Sequence, residues 1–209
     1  MPTSPDIQRR RKLCGLALAL YALLVITNPI TRVMIRRQAS PELIAVNGFL
    51  APLHMLALVA SVFAITQLLR RRADRIGLAG GALTIMGWAV GIRIICLGQL
   101  ESLLATGISG VPPDAIRRMF EAAPIVFVSI VPFGIMFPIG LITLGSTVVA
   151  VRPVSRWVGA LMIVGGVLFP VGRIGGFLWA IVASDLLLGT AFALLAWQVL
   201  SRPELWDAT

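Results

Sequence analysis

The sequence predicts an all-α integral membrane protein, a bundle of six transmembrane helices. Two observations predict this class. The chain of 209 residues is 58% hydrophobic and 13% charged, which leaves too few charges to cover the surface of a soluble domain of this length. Apolar stretches of about 18 residues or more also recur along the chain, and this is the length that crosses roughly 30 Å of hydrocarbon. We therefore expect a single transmembrane domain over residues 1–209.

Charged clusters and prolines delimit the first three helices. Residues 1–12 are a basic segment, and the apolar run that follows has no small-residue cleavage site. This pattern indicates a retained first helix over about 13–30 instead of a signal peptide. The second helix is predicted over about 43–69, after Pro41, and the third over about 76–104.

The second half of the chain predicts three further helices. Residues 105–121 contain a Pro-Pro break and form a loop, and the fourth helix follows over about 122–151. Its prolines predict a kinked or broken helix. The next 44 residues leave room for two spans of about 20 residues each. A turn at Gly175–Gly176 divides them best, which gives helices over about 157–174 and 177–200.

The distribution of arginine and lysine predicts the orientation in the membrane. With the N-terminus inside, the inner segments hold 11 basic residues and the outer loops hold 5. This excess favours cytoplasmic termini, so residues 1–12 and 201–209 are expected inside and residues 105–121 outside. The phrases FPIGLITLG and RWVGALMIVGGVLFPVGRI resemble those of small bacterial membrane proteins, and we expect the cell inner (plasma) membrane.

A weak internal repeat is a further hypothesis. Pro52 and Arg93 on the second and third helices match Pro132 and Arg173 on the fourth and fifth, with 41 residues from proline to arginine in both pairs. The two hairpins would run in the same direction, so the repeat would be parallel, with its axis along the membrane normal.

Polar side chains concentrate in the outer half of the predicted bundle. Arg93 lies seventeen residues beyond the start of the third helix, about 25 Å along its axis. Arg173 has a similar depth, and Asp185 falls inside the membrane, where Arg173 is its expected partner. This bias predicts an outward-facing cavity. Its predicted ligand-binding residues are Arg93, Arg173, His54, Asn47, Gln99, Trp88 and Trp179.

Two classes of function fit this cavity. The first is binding of an amphiphilic or lipid-like small molecule by a transporter, receptor or accessory subunit, with the arginines holding an anionic group. A transporter with only six short helices is expected to form a homodimer. The second is an intramembrane enzyme, such as an acid-catalysed terpenoid cyclase, with Glu101 or Asp185 as proton donor. That alternative is an architectural analogy, because no cyclase motif is matched.

Composition disfavours several other classes. The basic residues behind the net charge of +9 lie mostly in clusters between apolar runs. Basic clusters that flank membrane spans explain this pattern better than nucleic-acid binding does. The two cysteines and one histidine provide no metal-ligand spacing, and no glycine-rich nucleotide loop is visible. We therefore expect no metal, no cofactor and no nucleic-acid partner. The expected partners are membrane lipid and a small amphiphilic molecule.

Overall fold

The computed structural model of the chain is a helical bundle. It describes the backbone of residues 5–37, 41–104, 118, 124–202 and 204–207, and the side chains of residues 5–30, 46, 49–50, 52–70, 72–91, 118, 134–202 and 204–205. Within these ranges every regular element is an α-helix. The helices are α1 (Pro5–Arg37), α2 (Pro41–Leu104), α3 (Pro124–Val151), α4 (Arg156–Arg173), α5 (Leu178–Ser201) and α6 (Glu204–Asp207).

Helix α1 is longer than predicted at both ends. It begins at Pro5, where a missing N–H and a fixed φ suit the first turn, and Asp6 adds a carboxylate near the positive end of the helix dipole. The predicted start at residue 13 was wrong, because arginine and lysine have high helix propensity and the basic segment joins the helix. The helix also continues through Pro29 to Arg37. At 33 residues it is about 50 Å long, which exceeds the hydrocarbon thickness.

The predicted second and third helices form one element, α2, with a single sharp break. Ala73 has non-helical backbone angles (φ −155°, ψ 49°), and this break divides α2 into a first arm, residues 41–72, and a second arm, residues 74–104. The arms pack antiparallel. A Cβ atom added at Gly77 would lie 3.1 Å from Leu69 Cβ, and one at Gly81 would lie 2.9 Å from Thr66 Cγ2. The expected loop at the basic cluster is therefore a tight turn.

Helices α3, α4 and α5 lie close to their predicted positions. Helix α3 runs without interruption from Pro124 to Val151, so its prolines do not break it. In an apolar environment the freed carbonyls have no water to bond, and continuing the helix leaves the fewest backbone groups unsatisfied. The predicted Gly175–Gly176 turn is confirmed between the end of α4 and the start of α5. Gly176 has φ of +74°, a left-handed angle that favours glycine.

The long helices form a closed ring of neighbours. Helix α1 contacts α2, α2 contacts α3, α3 contacts α4, α4 contacts α5, and α5 returns to α1. Close approach depends on glycine. A Cβ atom on Gly87 of the second arm would collide with the backbone of Phe137 on α3. The side chains that fill the centre of the ring come from all five helices and include Leu18, Leu58, Leu141, Met162, Leu188 and Phe192.

The outside of the ring is apolar, as a membrane protein requires. Large hydrophobic side chains such as Leu23, Leu56 and Phe63 are 56–68% exposed. A soluble protein rarely exposes so much contiguous apolar surface. Among the described residues, five helical stretches are long and apolar enough to cross a membrane: Pro5–Ile30, Pro52–Arg70, Gly134–Val151, Arg156–Arg173 and Leu178–Ser201. The predicted third span is the second arm of α2, whose side chains lie outside the described set from residue 92 onward. The count of six spans therefore stays a prediction, and so does the internal repeat.

Candidate functional site

A buried ion pair joins α4 to α5. Arg173 Nη2 lies 2.8 Å from Asp185 Oδ1, with the arginine side chain 17% exposed and the aspartate side chain 3% exposed. The second carboxylate oxygen, Oδ2, accepts a hydrogen bond of 3.0 Å from Asn28 Nδ2 of α1. Both oxygens of Asp185 are therefore engaged, as a buried carboxylate requires. The prediction that Asp185 pairs with Arg173 across the hairpin is confirmed.

The turn between α4 and α5 sets the geometry of this pair. Arg173 is the last residue of α4, and Asp185 lies inside α5 on the other side of the glycine turn. The two helices approach closely, since a Cβ atom added at Gly172 would lie 2.6 Å from the backbone nitrogen of Ile181. Further along, Ser184 Oγ donates a 2.9 Å hydrogen bond to the carbonyl oxygen of Gly165. These contacts fix the register that brings the guanidinium to the carboxylate.

An aromatic chain crosses the bundle beside the ion pair. Its members are Tyr21, His54, Trp88, Phe137 and Phe169, and successive ring centroids lie 5.3, 5.4, 4.9 and 4.6 Å apart. They come from α1, the two arms of α2, α3 and α4 in that order. Tilted and edge-to-face pairs of this kind each contribute about 0.5–1.5 kcal/mol beyond their burial. The aromatic chain therefore ties the ring of helices together at one level.

The aromatic chain meets the ion pair at its Phe169 end. The Arg173 guanidinium carbon lies 4.1 Å from the centroid of the Phe169 ring, a cation–π contact. At the other end, Tyr21 packs edge-to-face on Phe192 of α5, the helix that carries Asp185, with ring centroids 4.6 Å apart. The polar and aromatic groups thus form one continuous cluster in the interior.

Two buried donors in this cluster have no hydrogen-bond acceptor among the described residues. They are Trp88 Nε1 and Arg173 Nη1. Trp88 is 5% exposed, and its ring centroid lies 6.5 Å from that of Phe169, the ring that Arg173 contacts through its guanidinium. An unmet buried donor costs about 1–3 kcal/mol. Two such donors beside one aromatic ring suit a bound group with acceptor oxygens.

The structure brings together four of the residues predicted for the site. Arg173, Asp185, His54 and Trp88 all belong to the interior cluster described above. Trp179 does not, because it is 62% exposed on the surface, where its ring pairs with Phe177 at 6.4 Å. The remaining predicted residues lie on α2, where their side chains fall outside the described set; they are Asn47, Arg93, Gln99 and Glu101.

Four members of the cluster were absent from the sequence-based site: Tyr21, Asn28, Phe137 and Phe169. Tyr21 and Asn28 both lie on α1, Tyr21 within the aromatic chain and Asn28 on the carboxylate. Tyr21 is the one tyrosine of the chain, and it lies seven residues, or about two turns, before Asn28. That spacing places both on one face of α1. This shared face is the sequence feature that could have added Tyr21 and Asn28 to the predicted site.

Comparison with known proteins gives no relative for this site: no family model, no curated protein and no solved structure matches the chain. Function is therefore inferred from the chemistry of the cluster. Within the part of the chain that the structure describes, no three His, Cys, Asp or Glu side chains converge as metal ligands would. The cluster instead combines the Arg173–Asp185 ion pair with aromatic rings.

Proposed function

We propose that this multi-pass membrane protein binds an amphiphilic or lipid-like small molecule, with the oxygens of its polar head held by Arg173 and Trp88. The observation that carries the proposal is the pair of unmet donors, Arg173 Nη1 and Trp88 Nε1, on two side chains that both neighbour Phe169. A carboxylate or phosphate oxygen is the natural acceptor for a guanidinium and an indole N–H.

The ion pair prepares Arg173 for this role. Asp185 engages one terminal nitrogen of the guanidinium and leaves the other, Nη1, to the ligand. The planar fork of arginine allows this division, which a lysine ammonium does not reproduce. The apolar body of the ligand packs against the half-buried Phe169 ring, where the aromatic chain meets Arg173.

The ligand site faces outward, and both termini lie in the cytoplasm. The support is the excess of arginine and lysine in segments at the end opposite Arg173, by 11 residues to 5. The membrane is the cell inner (plasma) membrane. Arg93, Glu101, Asn47 and Gln99 complete the site from α2, and a homodimer is the form expected for a transporter of this size.

Asp185 favours a binding role over the alternative of an acid-catalysed enzyme. Each of its oxygens accepts a hydrogen bond, one from Arg173 and one from Asn28. A carboxylate held in this way serves as an acceptor, whereas a cyclase requires a carboxylic acid that donates its proton.

Tryptophan fluorescence tests the proposal. In a variant that keeps Trp88 alone, with Trp157, Trp179, Trp197 and Trp206 changed to Phe, dibromostearic acid should quench the emission saturably, since bromine quenches indole on close approach. Arg173→Lys keeps a cation for Asp185 but removes the fork, and it should weaken binding about tenfold, the factor for losing a hydrogen bond to a charged group. Arg202→Lys is the matched control, because Arg202 is exposed at the opposite end. Quenching that never saturates, or that is equal in both variants, would reject the site.

Arg93 provides a second test of the same proposal. Arg93→Leu should leave the protein folded in detergent and weaken quenching by dibromostearic acid. Arg93→Lys should weaken it too, because a point charge does not replace the planar fork. If both variants bind the acid as tightly as the parent, Arg93 is not part of the site.

A further inference from the structure

We infer that a groove at the end of the bundle opposite the ion pair binds an anionic phospholipid, with its phosphate at Arg72 and one acyl chain along α3. The groove has a volume of about 560 Å³ and lies between the Ala73 turn of α2 and the last turns of α3. It is separate from the cluster around Asp185 and rests on different contacts.

The walls of the groove suit a hydrocarbon chain. Along α3 the groove runs from Ile142 to Val151, which is about 13 Å at the rise of an α-helix. The hydroxyls of Thr143 and Thr147 donate to carbonyl oxygens of their own helix at 2.8 and 2.7 Å, so these two threonines add no unmet donor to the wall. Ile76 forms the facing wall. An acyl chain in this space loses its contact with neighbouring lipids but gains equivalent contacts with protein.

Arg72 lies at the mouth of the groove. Its Nη1 donates a 2.8 Å hydrogen bond to the carbonyl oxygen of Val151, which holds the guanidinium across the end of α3. The side chain is nonetheless exposed, so its remaining N–H groups are open to an anion. A guanidinium positioned by one fixed contact loses less entropy when it binds a phosphate.

The surrounding charges favour an anion. Arg70, Arg75 and Arg152 are exposed beside the same turn, against one acidic side chain in the turn, Asp74. In the proposed orientation this end faces the cytoplasmic leaflet, whose anionic lipids attract basic clusters with about 1 kcal/mol per arginine. A free phosphate would contact only the arginines at the mouth of the groove. A phospholipid uses both the mouth and the apolar wall, and for this reason we assign the site to a phospholipid.

Native mass spectrometry of the full-length protein tests this inference. The protein is released from nanodiscs of phosphatidylcholine with a minor fraction of phosphatidylglycerol, and the retained copies of each lipid are counted. The parent should enrich phosphatidylglycerol. Arg72→Gln should lower the ratio of phosphatidylglycerol to phosphatidylcholine at least about fivefold, which corresponds to one arginine contact. Arg202→Gln removes the same charge outside the groove and should leave the ratio unchanged.

Ala150→Phe fills the groove without changing its charge. Ala150 is exposed and lines the groove, so the substitution leaves the core intact. It should lower retention of phosphatidylglycerol to the level of Arg72→Gln, and excess inorganic phosphate should not displace the lipid from the parent. Equal losses in Arg72→Gln and Arg202→Gln would overturn the inference in favour of diffuse surface charge. Full retention by Ala150→Phe would show that the groove is not the site, and displacement by inorganic phosphate would assign it to a free anion.

Discussion

Asp185 connects three helices through a single carboxylate. It belongs to α5, pairs with Arg173 of α4 at 2.8 Å and accepts a hydrogen bond from Asn28 of α1 at 3.0 Å. A buried charge of this kind is tolerated because both oxygens have partners. Removing Arg173 or Asp185 leaves an uncompensated charge, and removing Asn28 leaves the Oδ2 acceptor of Asp185 unmet.

A double-mutant cycle tests the ion pair. Asp185→Ala should destabilise the protein by roughly 3–5 kcal/mol, because it strands the Arg173 guanidinium in a low-dielectric interior. The double change with Arg173→Ala should be less destabilising than that single change, since removing both charges can be nearly neutral. The measurement is the free energy of unfolding in detergent. Additive effects of the two single changes would show that the pair is not coupled.

The pairing of Arg173 with Asp185 was predictable from sequence, while the role of α1 was not. Span lengths alone placed a turn at Gly175–Gly176 and so moved Asp185 into the membrane. The seven-residue spacing of Tyr21 and Asn28 places them on one face of α1, but apolar side chains surround that face and no span length shows that it turns inward. Tyr21 and Asn28 reach the cluster through the packing of α1 against α5, which depends on the whole ring.

Glycines decide how closely the helices approach one another. Gly81 packs against Thr66 on the first arm of α2, and Gly166 packs against Ile142 on α3. The neighbouring glycines contact the next helix along the chain: Gly80 faces α3 and Gly165 faces α5. These matched contacts are those that the predicted parallel repeat requires. The repeat itself stays a prediction.

Two glycines of α3 provide a matched pair for testing helix packing. A Cβ atom at Gly140 would lie 2.7 Å from the carbonyl oxygen of Gly80 and closer still to the Thr84 backbone, whereas at Gly134 no described atom lies within 4 Å. Gly140→Ala should therefore destabilise the bundle by about 1–3 kcal/mol. Gly134→Ala should be neutral or stabilise it by up to about 1 kcal/mol through helix propensity. Unfolding in detergent measures both, and equal effects would contradict the packing described here.

The positions of α3, α4 and α5 followed from apolar length, but the start of α1 and the form of the break in α2 did not. α1 begins at Pro5 and α2 breaks at one residue, Ala73, because charged side chains such as arginine are good helix formers. A charge cluster marks where a helix leaves hydrocarbon. It does not mark where the helix ends.

At the scale of the whole molecule, the two ends of the bundle carry different chemistry. One end holds the ion pair of Arg173 and Asp185 beside the aromatic chain. The other has exposed arginines at the Ala73 turn and at the start of α4, among them Arg72 and Arg156. This polarity is the basis for proposing one end as the ligand site and the other as the cytoplasmic face.

Cysteine accessibility tests the orientation. On a background without Cys14 and Cys96, single cysteines are placed in residues 105–118 and in residues 70–75. A membrane-impermeant maleimide added outside intact cells should label the first set and not the second, because basic segments are retained in the cytoplasm. Labelling of the second set without the first would reverse the orientation.

The most direct test of the central claim is the indole N–H signal of Trp88, followed by NMR in isotope-labelled protein and assigned with Trp88→Phe. If Trp88 Nε1 donates to the head of a bound amphiphile, oleate or oleoyl lysophosphatidic acid should shift this signal saturably, and oleyl alcohol should shift it less, because a charged oxygen is the stronger acceptor. Arg173→Lys should weaken the response, while the signals of the exposed Trp157 and Trp197 serve as internal controls. The proposed binding site would be contradicted if neither oleate nor oleoyl lysophosphatidic acid shifted the Trp88 signal. It would also be contradicted if the shift in Arg173→Lys equalled that in the parent protein.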